Sequence, residues 1–348
     1  METIMVTGGA GFIGSALVRH IIGERHERVV NVDALTYAGQ PDSLAELAGL
    51  SRYRFERGDV RDGRHMARLL AEYHPRAVMH LAAQTHVDRS ITGPGVFVDT
   101  NVNGVASLLE ASRQHWQTLS ADERAHFRFL HVSTDEVYGA LAPDAPPPDE
   151  TAPMAPSSPY AASKAGGDHL VNAWHATYGL PTLLTRATNN YGPGQYPEKL
   201  IPLMILNALA GRSLPIYGDG GQSRDWLHVD DHVRALCQIL DAGRPGASYN
   251  IAGGCESSNL AIVEALCDAL EQQAGLSRAA LRRLITHVPD RPGHDRRYSL
   301  DGRRMRDELG WRPHRAFDPG LEETVGWYLR HEQWCRRLID PGARAGRA

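Results

Sequence analysis

The chain has 348 residues, of which 22% are Asp, Glu, Lys or Arg, and a formal net charge of −4. That balance argues against broad affinity for nucleic acid or an anionic membrane, and no apolar run approaches the roughly 20 residues of a bilayer-spanning helix. The four cysteines, Cys237, Cys255, Cys267 and Cys335, show no CxxC spacing and are too few for a disulfide framework, so reduced thiols in a cytoplasm are expected.

The opening Ile4-Met5-Val6 reads as a strand and lacks the basic and long apolar stretches of a secretory leader, so export is not expected. Helical patterns at Ser15–Ile22, Met66–Glu72 and Val102–Ser112 then alternate with apolar runs at Val29–Val32, Ala77–Leu81 and Phe129–Val132. Alternation of this kind predicts βαβ units: an α/β fold with a Rossmann-type doubly wound parallel sheet. A Pro-rich stretch, residues 140–159, reads as a linker or loop. A long helix is expected from Tyr160 to Tyr178, a strand at Thr182–Thr185, and helices at Leu200–Ala210 and Leu260–Gln272. The expected organisation is a dinucleotide-binding lobe over residues 1–188 and a smaller α/β substrate-binding lobe over 189–348, some of whose segments return to the first lobe.

The string Thr7-Gly8-Gly9-Ala10-Gly11-Phe12-Ile13-Gly14 lies between the first strand and the first helix. Glycines there allow a tight turn and close approach to a pyrophosphate, whose charge the helix N-terminus favours. Asp33 ends the second strand, where a carboxylate can accept from adenosine ribose hydroxyls and repel a 2′-phosphate, which favours NAD over NADP. Asp59 can reach the adenine edge or serve as a turn residue. Leu81-Ala82-Ala83 ends another strand with small residues suited to close passage of a cofactor.

Tyr160 and Lys164 stand four residues apart, on one helix face. A cation near a phenol lowers its pKa from about 10 and makes it a better base. Thr134, at a strand end, can bond the same substrate hydroxyl. Glycine loop, Asp33 and the Tyr160–Lys164 pair together indicate NAD-linked oxidation of a hydroxyl; no metal site is expected.

The string Ser133-Thr134-Asp135-Glu136-Val137-Tyr138-Gly139 resembles the STDEVYG signature of the dTDP-glucose 4,6-dehydratases, a family of extended short-chain dehydrogenases/reductases. Further matches are Asp33–Gly39, Leu81–Ser90, Ser158-Pro-Tyr160, Asn189–Pro193, Pro197–Pro202, Pro215–Gly218, Arg224-Asp-Trp226, Tyr249-Asn-Ile251, Asp290–Tyr298 and Glu308–Trp311. The resemblance implies NAD contacts at Gly8, Gly11, Phe12, Ile13, Gly14, Asp33, Ala34, Leu35, Thr36, Asp59, Val60, Leu81, Ala82, Ala83, Thr85, Thr100, Tyr160, Lys164 and Asn190. It implies substrate contacts at Thr85, Thr134, Asn189, Lys199, Leu200, Pro215, Ile216, Tyr217, Arg224, Asn250, His294, Asp295, Arg296, Arg297 and Tyr298. Arg224 and either Arg296 or Arg297 can pair with a diphosphate, and Tyr217 can cover a base.

The implied chemistry gives each catalytic group a task. Tyr160 takes the C4 hydroxyl proton as NAD oxidises C4; the ketone acidifies C5, Glu136 removes the C5 proton, and Asp135 protonates the departing C6 hydroxyl. Hydride returns to C6, so the cycle is redox-neutral. Asp135 then needs a raised pKa, and the two acids must sit where the strand bends, because neighbours on a strand face opposite ways. Departures from the family pattern are Ala34, Gln84-Thr85, Gly194-Gln195 and the Gly166-Gly167 pair, which reads as flexible. A UDP-glucose dehydratase, a UDP-sugar epimerase and a non-catalytic NAD-binding scaffold remain as alternatives. A nucleotide-sugar substrate, a homodimer joined through Val102–Ser112 and Ala165–Tyr178, and a cytoplasmic location are expected.

Overall fold

The computed structural model describes residues 1–339; residues 340–348, the end of the expected 189–348 segment, lie outside the described residues. Twelve strands are numbered in chain order: β1 Thr3–Thr7, β2 Arg28–Asp33, β3 Tyr53–Arg57, β4 Ala77–His80, β5 Arg128–Thr134, β6 Thr182–Ala187, β7 Asn189–Tyr191, β8 Leu214–Tyr217, β9 Ser223–His228, β10 Ser248–Ile251, β11 Glu256–Ser258 and β12 Ile285–Val288. Seven of them form one sheet in the order β10-β6-β5-β4-β1-β2-β3, every pair parallel.

Such a sheet must be covered on both faces. Ile4 and Val6 of β1 pack with Leu17, Val18 and Ile21 of the helix Phe12–Glu24 on one face. Met5, between them, points the other way, towards Met66, Leu69 and Leu70 of the helix Gly63–Tyr73 and Leu108 and Leu109 of Gly104–Thr118. Burial of each such side chain stabilises the fold by roughly 1.5–3 kcal/mol before chain entropy is subtracted. A separate apolar cluster joins Tyr191, Ile201, Trp226, Leu266 and Tyr328 beneath two small sheets, β11-β9-β7 and β12-β8. The late segment Ser248–Ile251 returns to the large sheet beside β6. Among the described residues no helix is long and apolar enough to cross a membrane.

One sequence reading is sharpened and another changes. The Pro-rich stretch is a strap fastened across the molecule: Ala155 N–H donates to the Val137 carbonyl at 3.1 Å, Asp301 N–H donates to the Pro148 carbonyl at 3.0 Å, and Glu150 accepts from Asn250 N–H at 2.8 Å. The Gly166-Gly167 pair serves close packing, not flexibility. A Cβ on Gly167 would stand 2.7 Å from the Asn101 carbonyl oxygen, so its absence lets the helix Pro159–Tyr178 approach the π turn Asp99–Asn103.

Candidate active site

The strand order reverses between β1 and β4, and a cleft opens at their C-terminal ends, where the crevice of a doubly wound sheet receives its ligand. Gly8 has φ +75°, and a Cβ there would lie 2.6 Å from Ala82 N; a Cβ on Gly14 would lie 2.1 Å from the Gly8 carbonyl oxygen. Both positions therefore exclude a side chain. The helix Phe12–Glu24 begins at Gly11 with no side chain capping it, leaving its first N–H groups to an anion. Asp33 ends β2 with its carboxylate held by Ala10 N–H at 3.0 Å and Leu35 N–H at 2.8 Å. Leu35 takes a left-handed φ of +54° to make that contact. Glycine cradle, uncapped helix start and anchored acid fit the pyrophosphate and ribose of a dinucleotide.

β5 ends at Thr134 and turns at once into a 3-10 turn, Asp135–Tyr138, in which Thr134 Oγ1 accepts from Glu136 N–H at 3.3 Å. That bend lets both acids line the cleft with Tyr160 and Lys164. Asp135 is 4% exposed; burial and the neighbouring Glu136 charge raise its pKa to about 8, against a weaker lowering by the Thr134 hydroxyl, which donates at 3.1 Å. Its Oδ2 is buried without a hydrogen-bond partner. Burial also raises Glu136, but Arg224, Arg291 and Lys199 oppose the shift. Burial thus raises both adjacent acids, and Arg224 opposes the shift at each, while Arg291 and Lys199 add to that opposition at Glu136.

The helix Pro159–Tyr178 carries the phenol and the ammonium. Ser158 caps it by accepting from Ala161 N–H at 3.1 Å, and Ser90 Oγ accepts from Tyr160 N–H at 3.2 Å. The Tyr160 hydroxyl hydrogen-bonds Thr134. The expected lowering of its pKa by Lys164 is not found. Burial and the Glu136 charge push Tyr160 up, and Lys164 Nζ donates instead to the Val132 carbonyl at 2.8 Å. Burial lowers Lys164 to about 8, against an opposing pull from Asp168. Asp168, one turn further on, is fully buried and pairs with Arg186 at 2.9 Å.

Apart from Leu35, which lies behind Asp33, every expected cofactor residue lines this cleft, as do the expected substrate residues Thr85, Thr134, Asn189 and Lys199. Asp59 reaches the cleft with its carboxylate gripped by Arg61 at 2.7 Å, and Asn190 Oδ1 is 2.8 Å from His232 Nδ1. Lys199 Nζ donates to the Thr85 carbonyl at 3.3 Å, and Leu200 begins the helix behind it. Arg224 is 5% exposed, donates to the Ser223 and Asp295 carbonyls at 2.7 and 3.0 Å, and lies over the Tyr298 ring. Tyr298 and Ser157 both donate to Asp295 Oδ2. His294 Nδ1 lies 2.6 Å from Asp290 Oδ1, and Tyr217, 40% exposed, donates to Asp88 at 3.3 Å.

Several expected contacts are engaged elsewhere. Arg296 pairs with Asp219 at 2.7 Å, and Arg297 pairs with Glu256 at 2.7 Å while donating to the Ala145 carbonyl at 2.6 Å. Arg291, by contrast, acts on Glu136 and is fixed by Asp88 at 2.9 Å. The sequence signal was present, since Arg291 lies inside the Asp290–Tyr298 string, but a string does not tell which arginine points inward. Asn250 is fully buried, accepting from Tyr138 at 3.0 Å and donating to the Pro148 carbonyl at 3.1 Å, so its amide ties the strap to the sheet. Ile216 sits in the apolar core, and its neighbour Pro215 pairs in register with Thr286 in β12.

A parallel sheet whose switch-point cleft combines a dinucleotide cradle, a Tyr–Lys helix and paired acids defines an extended short-chain dehydrogenase/reductase with dehydratase-type acids. The family model described as GDP-mannose 4,6 dehydratase matches residues 5–324. The chain is 53% identical to the dTDP-glucose 4,6-dehydratase of Neisseria meningitidis serogroup B over 100% of its own length and 99% of that protein. It is 53% identical to dTDP-glucose 4,6-dehydratase 1 of Escherichia coli K12 over 95% of this chain and 94% of that one. The dTDP-glucose 4,6-dehydratase of Streptomyces venezuelae, solved with NAD bound, superposes with a TM-score of 0.88 at 44% identity, covering 97% of this chain and 99% of that one. UDP-glucose 4-epimerase of Thermotoga maritima shares the fold with a TM-score of 0.83 but only 29% identity, over 95% of this chain and 99% of that one. The chain belongs to the dTDP-glucose 4,6-dehydratase family.

Proposed function

We propose that this chain is an NAD-dependent hydro-lyase that converts dTDP-glucose to dTDP-4-keto-6-deoxyglucose. The observation that carries this reading is the pair Asp135 and Glu136, placed together at the end of β5 in the same cleft as Tyr160, with Asp135 raised to about 8 and cations facing Glu136. An epimerase has no task for such a pair, and the full-length relatives at 53% identity are dTDP-glucose dehydratases. NAD, when bound, supplies the acceptor for the C4 hydrogen and returns that hydrogen to C6.

Tyr160, bonded to Thr134, takes the proton of the C4 hydroxyl. Glu136, raised by burial against the opposing charges of Arg224, Arg291 and Lys199, removes in its ionised form the C5 proton that the new ketone acidifies. Asp135, protonated near neutral pH, gives its proton to the C6 hydroxyl as it leaves as water. Glu136 then returns a proton to C5. Lys164, through its bond to the Val132 carbonyl, is fixed one helical turn from the phenol as a cofactor-side donor. Gly8 to Gly14 and Asp33 bind the cofactor; Thr85, Asn189, Lys199, Tyr217, Arg224 and Arg291 bind the sugar nucleotide.

The same reading takes the chain as a cytoplasmic homodimer. The exposed apolar side chains of Val96, Val98 and Tyr178, beside the helices Gly104–Thr118 and Pro159–Tyr178, support a self-complementary face. Mass spectrometry of the product tests the activity: dTDP-glucose should lose one water and UDP-glucose should turn over more slowly. A product of unchanged mass would overturn the assignment.

A further inference from the structure

A second cleft runs along the helix Phe12–Glu24 from Ser15 to Glu24 and shares Ser43, Gly194 and Trp334 with the dinucleotide cleft. The first cleft takes the glycines up to Gly14, the second begins at Ser15, and Trp334 lines both, as does the start of that helix, whose N-cap Gly11 offers no side-chain cap. The indole is held there from several sides. It meets Trp327 edge-on at 5.3 Å, and Trp327 stacks on His331 at 4.2 Å. The next residue, Cys335, is wholly buried in the apolar cluster. Tyr328 donates to the Gln195 carbonyl at 2.7 Å and Tyr196 donates to the Leu338 carbonyl at 3.4 Å, fastening the helix Glu332–Ile339 and the one before it to a wall of the cofactor cleft.

We propose that Trp334 is a cofactor contact that closes the pyrophosphate end of the cleft and retains the dinucleotide. The inference rests on the NAD reading above. An indole offers one N–H donor and a broad apolar face, which suits a phosphate oxygen beside a ring edge and keeps water from the opening. Retention matters in a redox-neutral cycle: a cofactor lost after C4 oxidation leaves a stranded ketose and an enzyme unable to restore the hydrogen. No motif of the glycine loop supplies this closure, because the residue comes from the far end of the chain.

The test compares wild-type protein with Trp334→Ala and Trp334→Phe, each purified without added cofactor. Bound NAD and NADH are quantified after prolonged dialysis, and the Kd for NAD is measured by calorimetry on stripped protein. Wild type should keep its cofactor, Trp334→Ala should lose most of it with Kd raised about tenfold, and Trp334→Phe should fall between them. Should the alanine variant fail to fold, a Trp334→Phe protein with Kd raised at least threefold supports the proposal and one with wild-type affinity overturns it. A folded Trp334→Ala protein that retains and binds NAD as wild type does overturns the proposal alone. Wild-type protein that binds no NAD at all overturns both it and the functional reading beneath it.

Discussion

The Thr134 hydroxyl donates to the Asp135 carboxylate at 3.1 Å, joining the residue that bonds the catalytic phenol to the acid whose pKa is raised to about 8. Proton donor and proton acceptor thus share one bridge at the end of β5. Asp135→Asn should retain C4 oxidation and lose at least a hundredfold in water elimination, the low end of the roughly 10²–10⁴ that a positioned acid contributes. Rapid-quench analysis of the sugar intermediates checks this.

The same carboxyl predicts a pH effect. Its folded pKa of about 8 exceeds an unfolded value of about 3.9, so its contribution to stability is complete below pH ~4 and is lost as pH rises towards 8. Asparagine has no proton to lose. Thermal unfolding between pH 5 and 8 should therefore fall less steeply with pH in Asp135→Asn than in wild type, and elimination by wild type should decline above about pH 8.

Glu136→Gln removes the base while leaving Tyr160 and Thr134 in place. Mixed with dTDP-glucose, this variant should accumulate the absorbance of reduced nicotinamide without forming the 4-keto-6-deoxy product. Formation of product at the wild-type rate would transfer the C5 step to another group.

Asp168 of the catalytic helix and Arg186 of β6 form a buried pair at 2.9 Å. Breaking it with Asp168→Asn leaves an uncompensated buried guanidinium and should cost about 3–5 kcal/mol of stability. Denaturant unfolding at neutral pH measures this directly.

Arg291 faces Glu136, whereas Arg296 is bound to Asp219 at the surface. Arg291→Ala should raise KM for the nucleotide sugar at least tenfold, equivalent to about 1.4 kcal/mol; Arg296→Ala should change it less than twofold. Steady-state kinetics on the two variants decides between them.

Much of the cofactor site was legible because it is local. Gly8 to Gly14 follow a strand and open a helix within eight residues, and Asp33 ends the next strand, so spacing alone brings them together. The strand-end bend at Asp135 was legible for a similar reason, since two adjacent acids cannot share a face of an extended chain. The sugar-nucleotide side was harder to read, because its members come from loops whose inward and outward residues follow no period. Arg296 and Arg297 pair with Asp219 and Glu256 across long sequence separations, and Asn250 bonds the Pro-rich strap. Gly167 looked flexible in sequence because the oxygen it accommodates, on Asn101, belongs to another helix. The direction of the Tyr160 shift was missed because burial and the Glu136 charge, neither visible in the helix pattern, set it, while Lys164 turns to the Val132 carbonyl.

The most direct test of the account follows a deuterium placed at C4 of dTDP-glucose through one turnover. Oxidation at C4 with Tyr160 as base and NAD as acceptor, elimination by Asp135 and Glu136, and return of the same hydrogen predict a product one water lighter, with deuterium at C6 of the same molecule. Deuterium remaining at C4 of a product of unchanged mass would make the chain an epimerase and would contradict the account.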